Sequence, residues 1–314
     1  MNKLEKFQTI LIVLSIILGL SVGQVPIIAQ HSEGLILPFL LVMLYGLFLT
    51  IPFHELKKAF GHLPFLGTSL GMNFIWTPIL AWGLGYLFLS DHPALWVGFI
   101  MLMVTPCTDW YLIFTSIAKG NVTLAASVLP VNLILQVLLL PMYLWIFAGT
   151  EGAISLETII ESVVLVFILP FTLAQLTRFL FKQRQAIIEK RLVPFFSSSQ
   201  LVWLCLAIVA MFASQGTYLW TNLDVLFLLF IPILLYFLIN AVLGNYVAGW
   251  LKMNQKDTVS LLFTTLARNS PVALAVAITA FPDQPFIALA LVIGPLIELP
   301  VLALIAQLLL RMKK

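Results

Sequence analysis

The feature that most constrains the fold is a succession of long apolar stretches separated by short polar segments. Ten stretches occur, at about residues 7–23, 34–52, 65–89, 94–118, 122–148, 157–181, 195–213, 224–250, 257–281 and 285–310. A helix needs roughly 20 apolar residues to cross the hydrocarbon core of a bilayer. Charged residues make up 9% of the chain, whereas a soluble domain carries roughly 25%. The sequence therefore predicts an all-α polytopic membrane protein: one integral membrane domain over 1–314 with ten transmembrane helices, numbered here as spans 1 to 10.

The positions of the positive charges agree with ten crossings. All but one of the 16 Lys and Arg residues lie near span ends that share one side of the membrane if the chain crosses ten times. By the positive-inside rule that side is the cytoplasm. The sequence therefore predicts a multi-pass protein of the plasma (inner) membrane with both termini in the cytoplasm. The remaining cation, Arg268, lies in the middle of span 9.

Spans 4 and 9 each carry a proline among polar residues near their centre. Residues 105–109 read Thr-Pro-Cys-Thr-Asp, and residues 268–271 read Arg-Asn-Ser-Pro. Because proline removes a helix hydrogen bond and clashes with the preceding turn, we expect helix breaks at Pro106 and Pro271. A break at membrane depth must be buried in protein or line a cavity.

The two breaks occupy equivalent places in two halves of the chain, residues 7–148 and 157–310, each the fourth of five spans. Matching spans of the two halves are separated by nearly the same number of residues. Because five is odd, the second half would insert with the opposite orientation. Inverted repeats with paired broken helices are typical of secondary transporters, which bind substrate and coupling ions at the breaks. The alternative is that both prolines only kink structural helices.

Four segments of the sequence resemble the bile acid:sodium symporter superfamily, and especially its arsenite-efflux (arsenical-resistance) branch. They are Asn73–Pro78 in span 3, Pro106–Thr108 in span 4, Val131–Gln136 in span 5 and Val292–Val301 in span 10, the most specific of the four. The resemblance covers essentially all ten spans. It implies a panel of spans 1, 2, 6 and 7 and a core of spans 3–5 and 8–10, in which helices 4 and 9 cross at their breaks. It also implies transport by movement of the core against the panel.

The sequence departs from both branches of this family near the expected site. In the arsenite branch, small or apolar residues usually follow Pro-Cys-Thr and an acid follows the span-9 asparagine, whereas Asp109 and Val272 stand there in this chain. The positions that match the sodium ligands of the sodium-coupled branch are Tyr111, Leu112, Thr264 and Arg268. Na⁺ should prefer oxygen ligands. Tyr111 and Thr264 offer only neutral hydroxyls, Leu112 and Arg268 offer no side-chain oxygen, and Arg268 also brings a positive charge. The resemblance therefore implies a transporter without the usual sodium sites.

Three charged residues are candidates for the transport site. A charge at mid-membrane is costly unless it is paired or hydrated, so we expect Arg268 to pair with Asp109. Arg268 would then bind an anionic substrate, replace the charge of a sodium ion, or only pin the helix crossing. Asp109 is the candidate proton-coupling group if substrate displaces Arg268 from it. Glu298, between two prolines of span 10, either belongs to the site or braces a neighbouring broken helix.

The uncharged candidates lie beside the breaks or inside neighbouring spans. Cys107 is a soft ligand that could hold trivalent arsenic, although a small buried cysteine is also common in packed cores. Asn132 could reach the site from span 5 or form an interhelical hydrogen bond. Four further candidates are Asn73, Thr108, Asn269 and Ser270. We expect no metal ion and no cofactor, because the four histidines lie at span ends or in loops.

These observations favour a secondary active transporter, for example an antiporter, that moves a small anion, oxyanion or metalloid by alternating access without sodium coupling. The alternative is a sodium-coupled organic-anion symporter. An intramembrane enzyme is not expected, because no histidine falls within a span and no zinc motif or acid pair is evident. A channel agrees less well with the inverted repeats. The expected partners are the lipid bilayer and a small substrate, with no nucleic acid, and a homo-oligomer remains open.

Overall fold

The computed structural model describes residues 8–51, 60–108, 110–148, 156–220 and 227–311. Asp109, one of the predicted site residues, therefore lies outside the described residues, as does its expected pairing with Arg268. Within the described ranges the regular secondary structure is helical, apart from one isolated pair of bridged residues. The fold is thus all-α, as the sequence predicts.

The helices are named α1 to α12 in chain order. They are α1 Gln8–Val22, α2 Pro26–Thr50, α3 Leu63–Leu89, α4 Pro93–Met103, α5 Trp110–Ile117, α6 Val122–Ala148, α7 Glu157–Leu180, α8 Val193–Trp220, α9 Phe230–Trp250, α10 Gln255–Leu266, α11 Ser270–Ala280 and α12 Pro285–Arg311. Short helical turns from Lys182 to Leu192 precede α8. Two helices contain a wider, π-type turn, at Met72–Trp76 in α3 and at Val164–Ile168 in α7.

Seven helices in the described part of the chain are long and apolar enough to cross a membrane. They coincide with the predicted spans 2, 3, 5, 6, 7, 8 and 10, and they establish a multi-pass membrane protein. Predicted span 1 corresponds to the shorter helix α1, span 4 to α4 and α5, and span 9 to α10 and α11. The count of ten crossings and the inverted repeat stay predictions.

Proline alone does not interrupt these helices. Helices α2, α6 and α12 continue through their interior prolines, which are Pro38, Pro130, Pro141, Pro295 and Pro300. Neighbouring helices and local adjustments can satisfy the carbonyls that a proline leaves without a donor in a membrane helix. The interruptions between α4 and α5 and between α10 and α11 therefore need a cause beyond proline.

The position of Pro271 corrects one expectation. Pro271 is the second residue of α11, where its missing N–H is one that a helix end leaves unpaired in any case. The chain leaves the helix earlier, at Ala267–Asn269, because α10 ends at Leu266. Pro271 therefore begins the second half-helix, whereas Pro106 lies inside the unwound segment between α4 and α5.

The contacts within the chain define two compact units, which are described separately. The first contains α1, α2, α7 and α8 together with residues 274–285. In this unit α8 packs along α2 and α1, and α7 packs against α2. The panel of spans 1, 2, 6 and 7 implied by the resemblance falls within this unit, and the second half of span 9 groups with it instead of with the core.

The second unit contains α3, α4, α5, α6, α9, α10 and α12 together with residues 270–273. Two glycines permit close packing of α4 and α12: a Cβ added at Gly98 would lie 2.8 Å from the Ile287 carbonyl oxygen, and one added at Gly294 would lie 2.4 Å from Leu102 Cδ2. Small residues at such contacts are typical of helix packing in membranes. This unit holds all the described residues of the predicted site.

Candidate functional site

The two unwound segments lie against each other as a short antiparallel pair. Pro106 and Arg268 form the isolated bridge. The Cys107 N–H donates to the Ala267 carbonyl at 3.0 Å, and the Asn269 N–H donates to the Thr105 carbonyl at 2.7 Å. These bonds satisfy backbone groups that unwinding would leave unpaired at membrane depth. Residues 104–108 and 267–269 therefore form one structure, called the crossing below.

The guanidinium of Arg268 binds oxygens at the ends of two half-helices. Its Nη1 donates to the Met103 carbonyl at 2.8 Å, and its Nε donates to the Leu266 carbonyl at 3.1 Å. Its Nη2 donates to Asn73 Oδ1 at 3.1 Å and to the Thr265 carbonyl. Met103 is the last residue of α4, and Thr265 and Leu266 end α10. The positive charge therefore meets two helix C-termini, which carry partial negative charge.

An aromatic ring completes the surroundings of this guanidinium. The Arg268 Cζ lies 5.3 Å from the centre of the Tyr236 ring, within the range of a cation–π interaction. Arg268 is only 2% exposed and Tyr236 is fully buried. Four of the five N–H donors of an arginine are thus directed at protein oxygens. The five residues around the group, Asn73, Met103, Tyr236, Thr265 and Leu266, are called the guanidinium cage.

The side chain of Asn73 belongs to the π-type turn Met72–Trp76 of α3. Such turns place one extra residue in a helix and often occur at functional sites. Asn73 is fully buried, and besides accepting from Arg268 its Nδ2 donates to the Thr264 carbonyl at 3.2 Å. It therefore ties α3 to the end of α10 as well as to the guanidinium.

Helix α12 is hydrogen-bonded to the second unwound segment and to the first residue of α11. Oε1 of Glu298, which is 3% exposed, accepts the backbone N–H of Arg268 at 2.8 Å. The Ser270 hydroxyl donates to the Leu291 carbonyl of the same helix. Glu298 thus makes the bracing contact that the sequence left as one of two alternatives, and a role in substrate binding remains a prediction.

Asn269 connects the crossing to the start of α11. Its Oδ1 accepts the Val272 N–H at 3.3 Å, so that Asn269 caps the helix N-terminus. Its Nδ2 donates to Thr108 Oγ1 at 3.1 Å. The buried Cys107 lies between Pro106 and Thr108 in the first unwound segment and is therefore the residue next to the partner of Asn269.

Comparison with known proteins assigns the family. Residues 37–222 match the model of the Sodium Bile acid symporter family, which is more than half of the chain. This chain belongs to the sodium bile acid symporter family. The family is one of membrane transporters and not of enzymes, and the chain is accordingly a membrane transporter.

Relatives in the family cover most of the chain. The arsenical-resistance protein Acr3 of Corynebacterium glutamicum is 27% identical over 95% of this chain and 86% of its own length. Acr3 of Alkaliphilus metalliredigens is 23% identical over 95% of this chain and 90% of its own. The uncharacterized protein YbaS of Bacillus subtilis is 30% identical over 80% of each chain. The similarity to arsenical-resistance transporters inferred from sequence motifs is therefore confirmed.

In this family member the structure brings most of the predicted site residues together. Hydrogen bonds in or beside the crossing join Arg268 to Asn73 and Glu298, and Asn269 to Thr108. Cys107 and Ser270 lie in or next to the same segments. Asn132 is different: neither of its amide atoms has a hydrogen-bond partner within the described residues.

Sequence reasoning missed several of the groups that surround Arg268. The carbonyls of Met103, Thr265 and Leu266 are main-chain groups, and no side-chain pattern marks them. Tyr236 lies within span 8, where a buried aromatic ring gives no sign that it faces a cation. Sequence reasoning also passed over Gln136, whose amide has no hydrogen-bond partner within the described residues, although it follows Asn132 by four residues on the same helix face.

Proposed function

We propose that this protein is a secondary active transporter that moves a small anion, oxyanion or metalloid across the plasma membrane, with trivalent arsenic as the leading candidate. The observation that carries the proposal is the crossing, where two interrupted helices pair through their main chains inside the protein. In the proposed mechanism ten spans form two inverted repeats, and the crossing is exposed to each side of the membrane in turn. Both termini lie in the cytoplasm.

The arrangement at the crossing supports binding and release better than a purely structural kink. Secondary transporters place substrates and ions at half-helix ends and unwound carbonyls near the bilayer midplane. Here the C-termini of α4 and α10 converge on one buried cation, and the N-terminus of α11 begins beside Thr108 and Cys107. These elements place a soft thiol, hydroxyls and amides next to oppositely polarised helix ends.

The guanidinium cage supports transport without sodium coupling. Backbone carbonyls and an amide oxygen are ligands that suit a hard cation, and in this protein they surround Arg268. A sodium ion about 4 Å from the guanidinium would be repelled by about 4 kcal/mol at an effective dielectric constant of about 20. In this proposal protons or the membrane potential, rather than Na⁺, drive transport.

Two observations support a metalloid substrate. Arsenical-resistance transporters are similar over nearly the whole chain, and the buried Cys107 could provide a thiolate for a soft trivalent centre. The donors of Arg268 are mostly directed at protein oxygens, which weakens the case for an anion bound directly to it. Sodium-coupled symport of an organic anion is the second candidate, because the matching family includes bile acid symporters.

The deciding experiment is arsenite uptake into everted membrane vesicles, measured with and without Na⁺. We expect saturable uptake that is equal in the two media and that falls at least about tenfold in Cys107→Ser. Cys205→Ser is the matched control, since Cys205 lies in the other unit, and it should transport normally. A strict Na⁺ requirement would favour the symporter, and undiminished flux in Cys107→Ser would remove the thiol from the mechanism.

A further inference from the structure

Helix α6 carries two buried amides whose polar atoms have no hydrogen-bond partner in the part of the chain that the structure describes. Asn132 and Gln136 are each 1% exposed. Within the described residues, neither the oxygen nor the nitrogen of either amide makes a hydrogen bond. The two residues are four apart and therefore lie one above the other on the same face of the helix. Four orphaned polar atoms are thus concentrated in one turn of a membrane helix.

Such a concentration indicates a missing polar partner. Buried polar groups are nearly always hydrogen-bonded, to protein or to an ordered molecule. The need is greatest inside a membrane, where bulk water does not reach unsatisfied groups. Asn73, Asn269 and Arg268 in the same unit obey this rule, since each is bonded to protein. Other described residues of this unit (Ser69, Trp96, Thr115 and Asn240) each leave a single buried polar atom without a partner, whereas α6 leaves four in one turn.

Hydrogen bonds on either side of these amides fix where they lie. Asn132 is two helical turns after Ala125, whose carbonyl accepts the Tyr111 hydroxyl of α5 at 3.1 Å. Gln136 is two turns before Tyr143, whose hydroxyl donates to the Phe74 carbonyl of α3 at 2.5 Å. Ala125, Asn132, Gln136 and Tyr143 share one helix face at helical spacing.

The helices around α6 are those that build the crossing. α6 packs against α4, α5 and α10, and the ends of α4 and α10 meet at the guanidinium cage. Phe74, the partner of Tyr143, directly follows Asn73 of that cage. The two amides therefore lie midway along α6, on the face that is held against the helices of the crossing.

The chemistry of the pair defines what it would bind. Two carboxamides offer four N–H donors and two acceptor oxygens without any charge, while the buried cation nearby is held by its own cage. A suitable ligand both donates and accepts hydrogen bonds and carries no net charge. We propose that Asn132 and Gln136 form a subsite that binds the hydroxyl groups of a small neutral solute, such as the uncharged trihydroxide of trivalent arsenic. This inference rests on the proposed transport function and names the part of the substrate that these residues contact.

The test measures binding to the purified protein by thermal unfolding in detergent. The neutral probes are arsenite and boric acid, the second being a trihydroxide without affinity for thiols, and the charged probes are arsenate and taurocholate. We expect the neutral probes to raise the unfolding temperature of the wild type. Gln136→Met and Asn132→Leu should each need at least tenfold more boric acid for the same shift. Leu140→Met, one turn further along the same face, is the packing control and should respond like the wild type.

A second readout distinguishes a subsite from a structural brace. Without any probe, Gln136→Met should unfold at the same temperature as the wild type or above it, because it removes two unsatisfied buried groups. A lower unfolding temperature, an unchanged boric acid response, or no response of the wild type to either neutral probe would overturn the proposal. Arsenite flux in vesicles is measured separately, so a protein that binds boric acid but does not move arsenite refutes the proposed substrate and keeps the subsite.

Discussion

At the scale of single residues, Arg268 determines the electrostatics of the crossing. The described contacts of its guanidinium are carbonyls, an amide oxygen and an aromatic face, and the buried Glu298 accepts the backbone N–H of the same residue. Hydrogen bonds to charged groups contribute about 1.5–3 kcal/mol each. The arginine and the unwound backbone therefore stabilise each other. Without the guanidinium, the oxygens that accept its hydrogen bonds should be left without a donor.

Replacing this arginine should uncover a cation site. We predict that Arg268→Ala lowers the free energy of unfolding by at least about 3 kcal/mol and that Na⁺ then raises its unfolding temperature more than choline does. The physical reason is that four oxygens lose their positive partner. Thermal unfolding in NaCl and in choline chloride measures the effect. Arg178→Ala is the control, because Arg178 also donates to a backbone carbonyl, that of Leu49, and both residues belong to the other unit. An equal rise of the unfolding temperature with Na⁺ in both variants would refute the prediction.

At the scale of helices, unwinding is localised by tertiary contacts and not by proline content. Helix α6 contains Pro130 and Pro141 and continues through both, whereas α10 ends at Leu266, four residues before Ser270, without any proline in between. What distinguishes the two interruptions is a partner segment that accepts and donates main-chain hydrogen bonds. The ends of some other helices are instead fixed by local backbone geometry.

The end of α9 provides a test of such local geometry. Lys252 has a φ of 53°, and the Met253 N–H donates to the Ala248 carbonyl at 2.9 Å, as in a Schellman cap. Lys252→Gly should therefore raise the free energy of unfolding by about 1 kcal/mol, since the left-handed conformation costs other residues about that much. Lys256→Gly, within the first turn of α10, should lower it by a similar amount. Thermal unfolding of both variants checks the opposite signs, and a shared sign would contradict this reading.

Close packing of α4 and α12 provides a second test. A Cβ at Gly98 would lie 2.7 Å from Ala290 Cβ as well as near the Ile287 carbonyl, whereas a Cβ at Gly83 of α3 would meet nothing within 4 Å. We predict that Gly98→Ala destabilises the protein by about 1–3 kcal/mol through overpacking. Gly83→Ala should be neutral or stabilise it by up to about 1 kcal/mol through helix propensity. If the two variants unfold at the same temperature, α4 and α12 are not in contact as described.

At the scale of the whole molecule, the sequence predicts ten membrane crossings. Seven helices are long enough by themselves, and the ten-span topology requires that α4 with α5, and α10 with α11, each act as one crossing. The charge distribution predicts that the chain segment before α10 is cytoplasmic and the one after α11 is external.

Labelling of introduced cysteines tests this topology. In a background with serine at both natural cysteines, Asp91→Cys and Asp283→Cys should react with an impermeant maleimide in intact cells. Lys256→Cys should react only after the membrane is opened. All three positions are exposed, so access to the membrane side decides the outcome. Equal labelling of Lys256→Cys and Asp283→Cys in intact cells would mean that α10 and α11 do not form a crossing.

The sequence was informative where burial in lipid alone decides the structure. Hydropathy indicates the positions of the long helices. A proline among polar residues, in 105–109 and again in 268–271, indicates the position of the crossing. The partners of Arg268 were not predictable, because main-chain carbonyls of α4 and α10 come together only through tertiary packing. The sequence marks Asn73 as a candidate, but the π-type turn that carries it leaves no recognisable pattern in Met72–Trp76. Similarly, the sequence alone does not show which group Glu298 contacts, because its partner, the backbone N–H of Arg268, is brought to it by tertiary packing.

The covalent attachment of the caged charge has an energetic consequence. A mobile ion that enters on one side and leaves on the other delivers the work of its gradient to the solute that travels with it. In the proposed alternating-access cycle, a guanidinium that belongs to the chain is carried back on the empty return stroke, so over a full turnover it delivers no net work. Uphill movement of a neutral solute must then be powered by another species that is actually released, such as a proton, and without one the protein would only equilibrate its solute between the two compartments.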